Sequence, residues 1–282
     1  MFRNVENASA AIEYIETHLT EKMDLEIVAQ GVHYSKYHLH RVFAQTAGIS
    51  IHGYIQRRQL TEAAKRLVFS HTPIIDIAFM AGYESQQAFS TAFKTMYKKS
   101  PHRYRKEGDF YPLQWRYVLH RKPARMGTGI DCLEDIVFAS REDIPMWMDL
   151  VHLVVDGFPY LKEDGYRETL ETCIEERRAL IMKDAGVAVG ILLCDFASGC
   201  IDFLGIHPQY EKEAIAQAFL QRITREVPPD TLISITTFRE GDKADPGYRK
   251  TIQSLGFSEA GLLTEFGYPT QRFILKNTQV DN

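Results

Sequence analysis

The sequence has no long apolar run. No stretch reaches the roughly 18 consecutive apolar residues that a membrane-spanning helix needs, although 45% of the 282 residues are hydrophobic. The chain also starts with polar and acidic residues, Asn4, Glu6 and Asn7, unlike the basic and then apolar start of a secretory signal. Both features predict a cytoplasmic protein with no membrane partner.

Cysteine is scarce and is not spaced for metal binding. The four cysteines are Cys132, Cys173, Cys194 and Cys200, and no two of them form the CxxC spacing of a zinc site. We therefore expect reduced, mostly buried thiols, as in a cytosolic protein, and no bound metal.

The chain as a whole lacks the excess of positive charge that is typical of DNA-binding proteins, since its net charge is −4. The two parts of the chain differ, however. Residues 1–109 contain 14 Lys and Arg against 11 Asp and Glu, a net charge of +3, and residues 110–282 contain 19 against 26, a net charge of −7. Seven of the ten histidines lie in the first part. This asymmetry predicts different partners for the two parts.

The first part is helical and internally duplicated. The first copy consists of a short apolar helix, a turn that ends at Tyr34 and a second helix that Ser35 can cap. The same three elements recur later in the chain, where Tyr83 corresponds to Tyr34 and Ser85 corresponds to Ser35. One extra residue, Glu84, lies in the second copy. Each copy has the layout of a helix-turn-helix motif.

The second helix of each motif carries polar side chains that can reach DNA bases: Arg toward guanine, Gln toward adenine, and Tyr or Thr toward a thymine methyl group. A solvated face of a helical bundle is the alternative interpretation, which the duplication disfavours. The residues expected to bind DNA are Lys36, Tyr37, His40, Arg41, Ser85, Gln86, Gln87, Ser90, Thr91 and Lys94. Of these, Lys36 and Lys94 would mainly neutralise phosphates. The expected phosphate contacts are Ser35, Lys98, Lys99 and Arg103.

Residues 8–106 resemble the DNA-binding domain of AraC/XylS-type regulators. The resemblance rests on Tyr34-Ser35-Lys36-Tyr37-His38-Leu39, on Gly82-Tyr83-Glu84-Ser85-Gln86-Gln87, and on the closing Ser100-Pro101-His102-Arg103-Tyr104-Arg105. It implies an all-α double helix-turn-helix domain that places two helices in successive major grooves of double-stranded DNA. Tyr37, His40 and Arg41 would lead in one groove, and Gln86, Gln87 and Thr91 in the other. His33 stands where members of that family often have glycine, and histidine tolerates a left-handed turn better than most residues do, so we expect the turn to be kept. Thr91 stands where some members have arginine, which leaves the base preference there open.

The sequence predicts three parts: a DNA-binding domain over residues 1–109, a connector over residues 110–133 and an α/β (α+β) domain over residues 134–282. The connector is rich in Arg and aromatic residues, including Trp115 and Tyr117, so we expect it to pack against the protein. Residues 134–277 resemble the GNAT N-acetyltransferase fold, with its mixed, mostly antiparallel sheet. The matching segments are 202–210, which leads into a helix, and 254–257, which follows a later helix.

The residues for acetyl transfer do not match that resemblance. Glu211, Lys212, Glu213, Ala214 and Ala216 stand where that family has a basic residue and glycines that hold the coenzyme A pyrophosphate. The two carboxylates would repel the pyrophosphate, and the missing glycines would block close approach of the backbone. Ile252 occupies the place of a proton-donating tyrosine. Asp245 aligns with the usual asparagine, and Tyr248 and His207 are more plausible as packed residues than as acid or base groups.

The sequence therefore predicts a non-enzymatic transcriptional regulator whose second domain senses a small-molecule effector. Two alternatives stay open: an active DNA-tethered acetyltransferase using acetyl-CoA, and a domain that only dimerises or contacts other proteins. No cofactor is expected, with acetyl-CoA or another acyl-CoA disfavoured, and RNA polymerase is the expected partner of an activator. The residues expected to line a ligand pocket are Leu204, Ile206, Glu211, Ala214, Ala216 and Tyr248.

Overall fold

A computed structural model of the chain describes residues 2–119, 135–154, 163–265 and 267–277. The chain divides into two compact regions, which we describe separately. The N-terminal region comprises residues 2–119, and the C-terminal region comprises the other described residues. The expected connector is described only as far as residue 119, and its remainder lies outside the described residues.

The regular secondary structure of the N-terminal region is entirely α-helical and ends at Glu107, as the sequence predicts. Two short helices and two longer ones form the two motifs, with a long helix between them and one helix at each end. The helices are α1 (Phe2–Thr17), α2 (Leu25–Gly31), α3 (Lys36–Ala47), α4 (Ile51–Phe69), α5 (Ile74–Met80), α6 (Gln86–Tyr97) and α7 (Pro101–Glu107). We define the first motif as α2–α3 and the second as α5–α6.

The two motifs repeat the same turn. The amide of Tyr34 donates to the carbonyl of Ala29 at 2.9 Å, and the amide of Tyr83 donates to the carbonyl of Ala78 at 3.0 Å. The residue before each tyrosine is left-handed: His33 has φ of 59° and Gly82 has φ of 76°. The expected left-handed conformation of His33 is therefore confirmed, and the internal duplication is structural.

Each motif packs on its own apolar core. Leu39 and Phe43 of α3 are fully buried against α1 and the start of α4. In the second motif, Phe93 stacks on Tyr97 at 4.4 Å between ring centroids, and Tyr104 of α7 meets both rings edge-on. Burial of each such side chain stabilises the fold by about 1.5–3 kcal/mol, so these residues hold the helices in place.

Residues 110–119, which we call the strap, pack along α4. The hydroxyl of buried Thr61 accepts hydrogen bonds from the amides of Leu113 at 3.0 Å and Gln114 at 3.1 Å. The amide of Tyr117 donates to the hydroxyl of Tyr54 at 3.3 Å. Because its amides are satisfied by buried side chains of α4, this part of the connector is fixed to the N-terminal region, as its composition predicted.

The C-terminal region contains a seven-stranded sheet with the order β1-β2-β3-β4-β5-β7-β6. The β4–β5 pair is parallel and the other neighbouring pairs are antiparallel, which confirms the expected mixed, mostly antiparallel sheet. The strands are β1 (Ile136–Phe138), β2 (Ala179–Asp184), β3 (Val187–Asp195), β4 (Cys200–Ile206), β5 (Leu232–Phe238), β6 (Ser258–Glu265) and β7 (Tyr268–Lys276). The helices are α8 (Ile144–Val154), α9 (Glu163–Glu175), α10 (Lys212–Glu226) and α11 (Tyr248–Ser254).

Local sequence explains several boundaries in this sheet. Ala185 and Gly186 join β2 to β3 with φ values of 48° and 84°, the left-handed pair that a tight hairpin needs. One core cluster joins the sheet to α10, where Phe219 is fully buried. Gly190 of β3 permits this packing because a Cβ there would lie 2.4 Å from the Phe219 ring.

The parallel pair β4–β5 is short. Cys200 pairs with Ser234 and Ile201 pairs with Ile235, and the register continues no further along the two strands. The later parts of β4 and β5 therefore separate from each other. Within the described residues, no helix has the length and apolar character to cross a membrane, and no His, Cys, Asp or Glu cluster there is arranged for a metal.

Candidate nucleic-acid interface

Helix α3 presents a polar surface because its apolar side chains all turn inward. Ser35 begins the helix, and its hydroxyl accepts a hydrogen bond from the amide of His38 at 3.3 Å. Tyr37, His40 and Arg41 are exposed, and the exposed fraction of Tyr37 reaches 87%. An aromatic ring held this far into solvent has no packing role in the region, so it is available to a partner.

Helix α6 repeats this arrangement. The hydroxyl of Ser85 accepts from the amide of Ala88 at 3.1 Å, which confirms the expected cap. Four polar residues of this helix that are expected to bind DNA are exposed: Gln86, Gln87, Thr91 and Lys94. Ser90 is half-buried.

Two of these side chains already have partners within the protein. The ammonium of Lys36 lies 3.3 Å from a carboxylate oxygen of Glu26, and both side chains are half-exposed. The hydroxyl of Thr91 donates to the carbonyl of Gln87 at 3.0 Å. The exposed Lys36 pair contributes little stability, so Lys36 can exchange Glu26 for a phosphate at small cost.

Two of the expected phosphate contacts, Lys99 and Arg103, share one carboxylate. Glu107 pairs with Lys99 and with Arg103, whose Nε lies 2.7 Å from Oε1 of Glu107. Hydrogen bonds from Lys99 and then Arg103 lower the pKa of Glu107. Only 11% of the Lys99 side chain is exposed. Lys99 and Arg103 are therefore partly neutralised here. The i,i+4 spacing of Arg103 and Glu107 on α7 is a sequence signal for one of these pairs, whereas no such spacing indicates the pair with Lys99.

A side chain outside the motifs also touches α3. The amide nitrogen of Asn7, in α1, lies 3.3 Å from Nε2 of His38. Asn7 is buried, with 2% of its surface exposed. No local sequence pattern indicates this contact, because the two residues are 31 positions apart.

The residues expected to line a ligand pocket in the C-terminal region have different environments. Ile206 and Ala216 are buried members of the core cluster, and Leu204 packs partly buried against it. Glu211 and Ala214 are exposed at the start of α10. The ring of half-buried Tyr248 lies beneath the ammonium of Lys212, 4.4 Å from the ring centroid.

Paired turns, capped second helices and exposed polar faces define a protein with two helix-turn-helix motifs of the DNA-binding type. A family model described as "Helix-turn-helix domain" matches residues 28–107. Over 94 residues the chain is 39% identical to the multiple antibiotic resistance protein MarA of Salmonella typhimurium, a match that covers 33% of this chain and 74% of MarA. The chain belongs to the AraC family of DNA-binding transcriptional regulators.

The other similarities are partial. The transcriptional regulator Rob of Salmonella typhimurium is 34% identical over 133 residues, which cover 47% of this chain and 44% of Rob. The chain therefore spans less than half the length of Rob. The match to the structure of a GNAT-family acetyltransferase from Bacillus cereus covers 51% of this chain and 97% of the acetyltransferase chain, at 18% identity and a TM-score of 0.40. That score is too low to assign the fold of the C-terminal region.

Proposed function

We propose that the protein is a sequence-specific regulator that binds two half-sites on one face of double-stranded DNA through α3 and α6. The observation that carries this proposal is the structural repeat. Each helix has 12 residues, begins at a serine whose hydroxyl caps it, and follows the same tyrosine-anchored turn. Two recognition helices joined in one chain suit half-sites about one DNA turn apart, roughly 34 Å.

Specificity in this proposal depends on a few side chains because the charge of the region is small. Arg41 can form two hydrogen bonds to guanine, and Gln86 or Gln87 can do the same with adenine. Tyr37 offers its ring to a thymine methyl group. Lysines such as Lys94 contribute mainly by neutralising phosphates, so affinity should fall as salt concentration rises.

Selection of genomic fragments by the purified full-length protein tests the proposal. We expect the recovered sequences to contain two half-sites about one helical turn apart. The double variant Tyr37→Ala/Arg41→Ala should lose the first half-site from the recovered motif, while Lys65→Ala, at an exposed position of α4, should recover the same motif as wild type. Fragments without a shared motif, or binding that is independent of salt, would contradict sequence-specific recognition.

We also propose that the C-terminal region senses a small molecule rather than transferring an acetyl group. Separation of β4 from β5 after Ile201 and Ile235 creates a place between strands where a ligand can bind. A ligand bound there changes DNA binding only if it binds two states of the protein with different affinity. RNA polymerase becomes the expected protein partner if DNA binding activates transcription.

The start of α10 supports sensing over acetyl transfer. Glu211 occupies the position before the helix and its side chain makes no capping hydrogen bond there, and Glu213 in the first turn is exposed. Both carboxylates would repel a pyrophosphate. Ile252 is buried and has no proton to give. Calorimetry with acetyl-CoA tests this choice: we expect no detectable binding, and micromolar affinity would support the acetyltransferase alternative.

A further inference from the structure

A buried glutamine of α4 connects the two motifs. The side-chain nitrogen of Gln59 donates to the carbonyl oxygens of Glu21 at 2.9 Å and Leu19 at 3.3 Å. Both acceptors lie in the loop between α1 and α2, which leads into the first motif. Because Gln59 is 7% exposed, these hydrogen bonds are shielded from competing water and hold the loop against α4.

The turn of the second motif packs against the same group. Gly82 has φ of 76°, and a Cβ at this position would lie 2.9 Å from Nε2 of Gln59 and 3.0 Å from the carbonyl oxygen of Glu21. No side chain fits there without moving the loop or the glutamine. One turn earlier on α4, the side chain of Gln56 lies beside that of Tyr83. The turn of the second motif is therefore fixed to α4 and to the loop that precedes the first motif.

The extra residue of the second motif completes the contact. Glu84, which has no counterpart in the first motif, pairs with Lys22 at 2.6 Å across 62 positions of the chain. The hydrogen bond raises the pKa of Lys22 and lowers that of Glu84. Both side chains are mostly exposed, at 74% and 79%, so the pair contributes little stability. Its effect is to orient the two segments.

We propose that this junction, formed by Gln59, Gly82 and the Lys22–Glu84 pair, sets the separation and angle between α3 and α6 so that both half-sites bind in one event. Gln59 is its positioning residue. The inference rests on the two-half-site function proposed above. When the second helix is already in place, its half-site binds at a high effective concentration. A loose junction lowers that concentration without changing any side chain that faces DNA.

The substitution Gln59→Met tests this inference because it keeps the length of the side chain and removes both hydrogen bonds. The probes are a duplex with the two half-sites recovered by fragment selection, the same duplex with one half-site scrambled, and one with two base pairs inserted between half-sites. We expect the affinity ratio of full to scrambled duplex to fall about tenfold in the variant, with half-site affinity unchanged. We also expect the insertion to weaken the variant less than the wild type.

The ion pair supplies a second, independent test. Glu84→Lys places two ammonium groups together and should also lower the ratio, whereas Lys22→Glu/Glu84→Lys restores opposite charges and should recover it. A matched charge change away from the junction, Glu6→Lys at an exposed position of α1, should leave the ratio unchanged. These exposed substitutions keep the test decisive if Gln59→Met does not fold, as judged by circular dichroism.

The results separate the two proposals. If wild type binds the full and scrambled duplexes equally, the two-half-site function is wrong. If wild type distinguishes them and Gln59→Met and Glu84→Lys do so equally well, the function stands and the junction has no positioning role. A charge swap that fails to recover the ratio removes the Lys22–Glu84 pair from the junction.

Discussion

Arg58 of α4 and Glu16 of α1 form a two-point ion pair. Nε of Arg58 lies 2.7 Å from Oε1 of Glu16, and Nη2 lies 2.8 Å from Oε2. Only 6% and 9% of the two side chains are exposed. Tyr54 also donates its hydroxyl hydrogen to Glu16, and Arg58 donates to the carbonyl of Gln114 in the strap. The pair therefore joins α1, α4 and the strap at one point.

Loss of one member of this pair should destabilise the N-terminal region. Glu16→Gln removes the two-point partner of the buried Arg58 guanidinium and leaves only Glu62, whose Oε1 lies 3.2 Å from Nη2 of Arg58. The cost should therefore lie near the lower end of the range for breaking a buried ion pair, at about 3 kcal/mol. The change in the free energy of unfolding is measured by chemical denaturation of the full chain, monitored by far-UV circular dichroism. Arg116→Gln breaks the exposed Arg116–Glu13 pair and should cost less than about 1 kcal/mol. Equal effects of the two substitutions would show that burial does not distinguish these pairs.

The strap should detach when Thr61 loses its hydroxyl. Thr61→Val leaves the amides of Leu113 and Gln114 without their acceptor in a buried site, at a cost of about 1–3 kcal/mol. Amide hydrogen exchange at residues 113 and 114 should become faster, and Thr61→Ser, which keeps the hydroxyl, should stay close to wild type. Unchanged exchange in Thr61→Val would mean that the hydroxyl does not hold the strap.

Arg41 and Lys94 should contribute to DNA binding in different ways. Arg41→Ala should cost about 1–3 kcal/mol and relax the sequence preference at one base position. Lys94→Ala should weaken all sequences similarly and reduce the slope of log affinity against log salt by about 1. Titrations of selected and scrambled duplexes at several salt concentrations distinguish these effects. The same loss of preference in both variants would contradict these roles.

Removal of the Glu107 carboxylate should strengthen DNA binding. Glu107→Gln releases Lys99 and Arg103 from a shared partner, so both cations become available to phosphates and the salt dependence should steepen. Arg103→Gln/Glu107→Gln is the control and should gain less. Weaker binding of Glu107→Gln would mean that the carboxylate positions these cations for DNA rather than competing with it.

The same carboxylate predicts a pH dependence of stability. Because its pKa in the folded protein is lowered, Glu107 stabilises the fold above its unfolded pKa, near the ordinary glutamate value. This contribution disappears as pH falls through the lowered folded pKa. The stability difference between wild type and Glu107→Gln should therefore be present at neutral pH and vanish under acid conditions. A stability difference that grows as pH falls would contradict this prediction, because it would mean that the pKa of Glu107 is raised, not lowered, on folding.

Cys194 should resist alkylation in the folded protein. Burial raises its pKa to about 12, so almost no thiolate forms near neutral pH, and the thiolate is the reactive species. Mass spectrometry after iodoacetamide treatment should find the Cys194 peptide unlabelled in native protein and labelled after denaturation. Rapid labelling under native conditions would show that β3 opens frequently.

Local patterns were sufficient for most of the secondary structure. Ser35 and Ser85 cap the helices that follow them because a serine oxygen needs only the amide three residues ahead. The hairpin at Ala185 and Gly186 is equally local, since two left-handed residues can close it. Apolar spacing also predicted which face of α3 and α6 is buried, and hence which polar side chains are exposed.

Tertiary structure decided how those helices are held and how the cations are paired. Gln59 meets Leu19 and Glu21 across about 40 positions, Arg58 meets Glu16 across 42, and Glu84 meets Lys22 across 62. Such contacts depend on chain folding, and neither helical period nor motif spacing contains them. The sequence by itself therefore determined two capped helix-turn-helix motifs and a mixed α/β region. Only the folded chain showed that a buried glutamine and the extra Glu84 contact the loop that precedes the first motif, because long-range hydrogen bonds form only once the core has brought distant segments together.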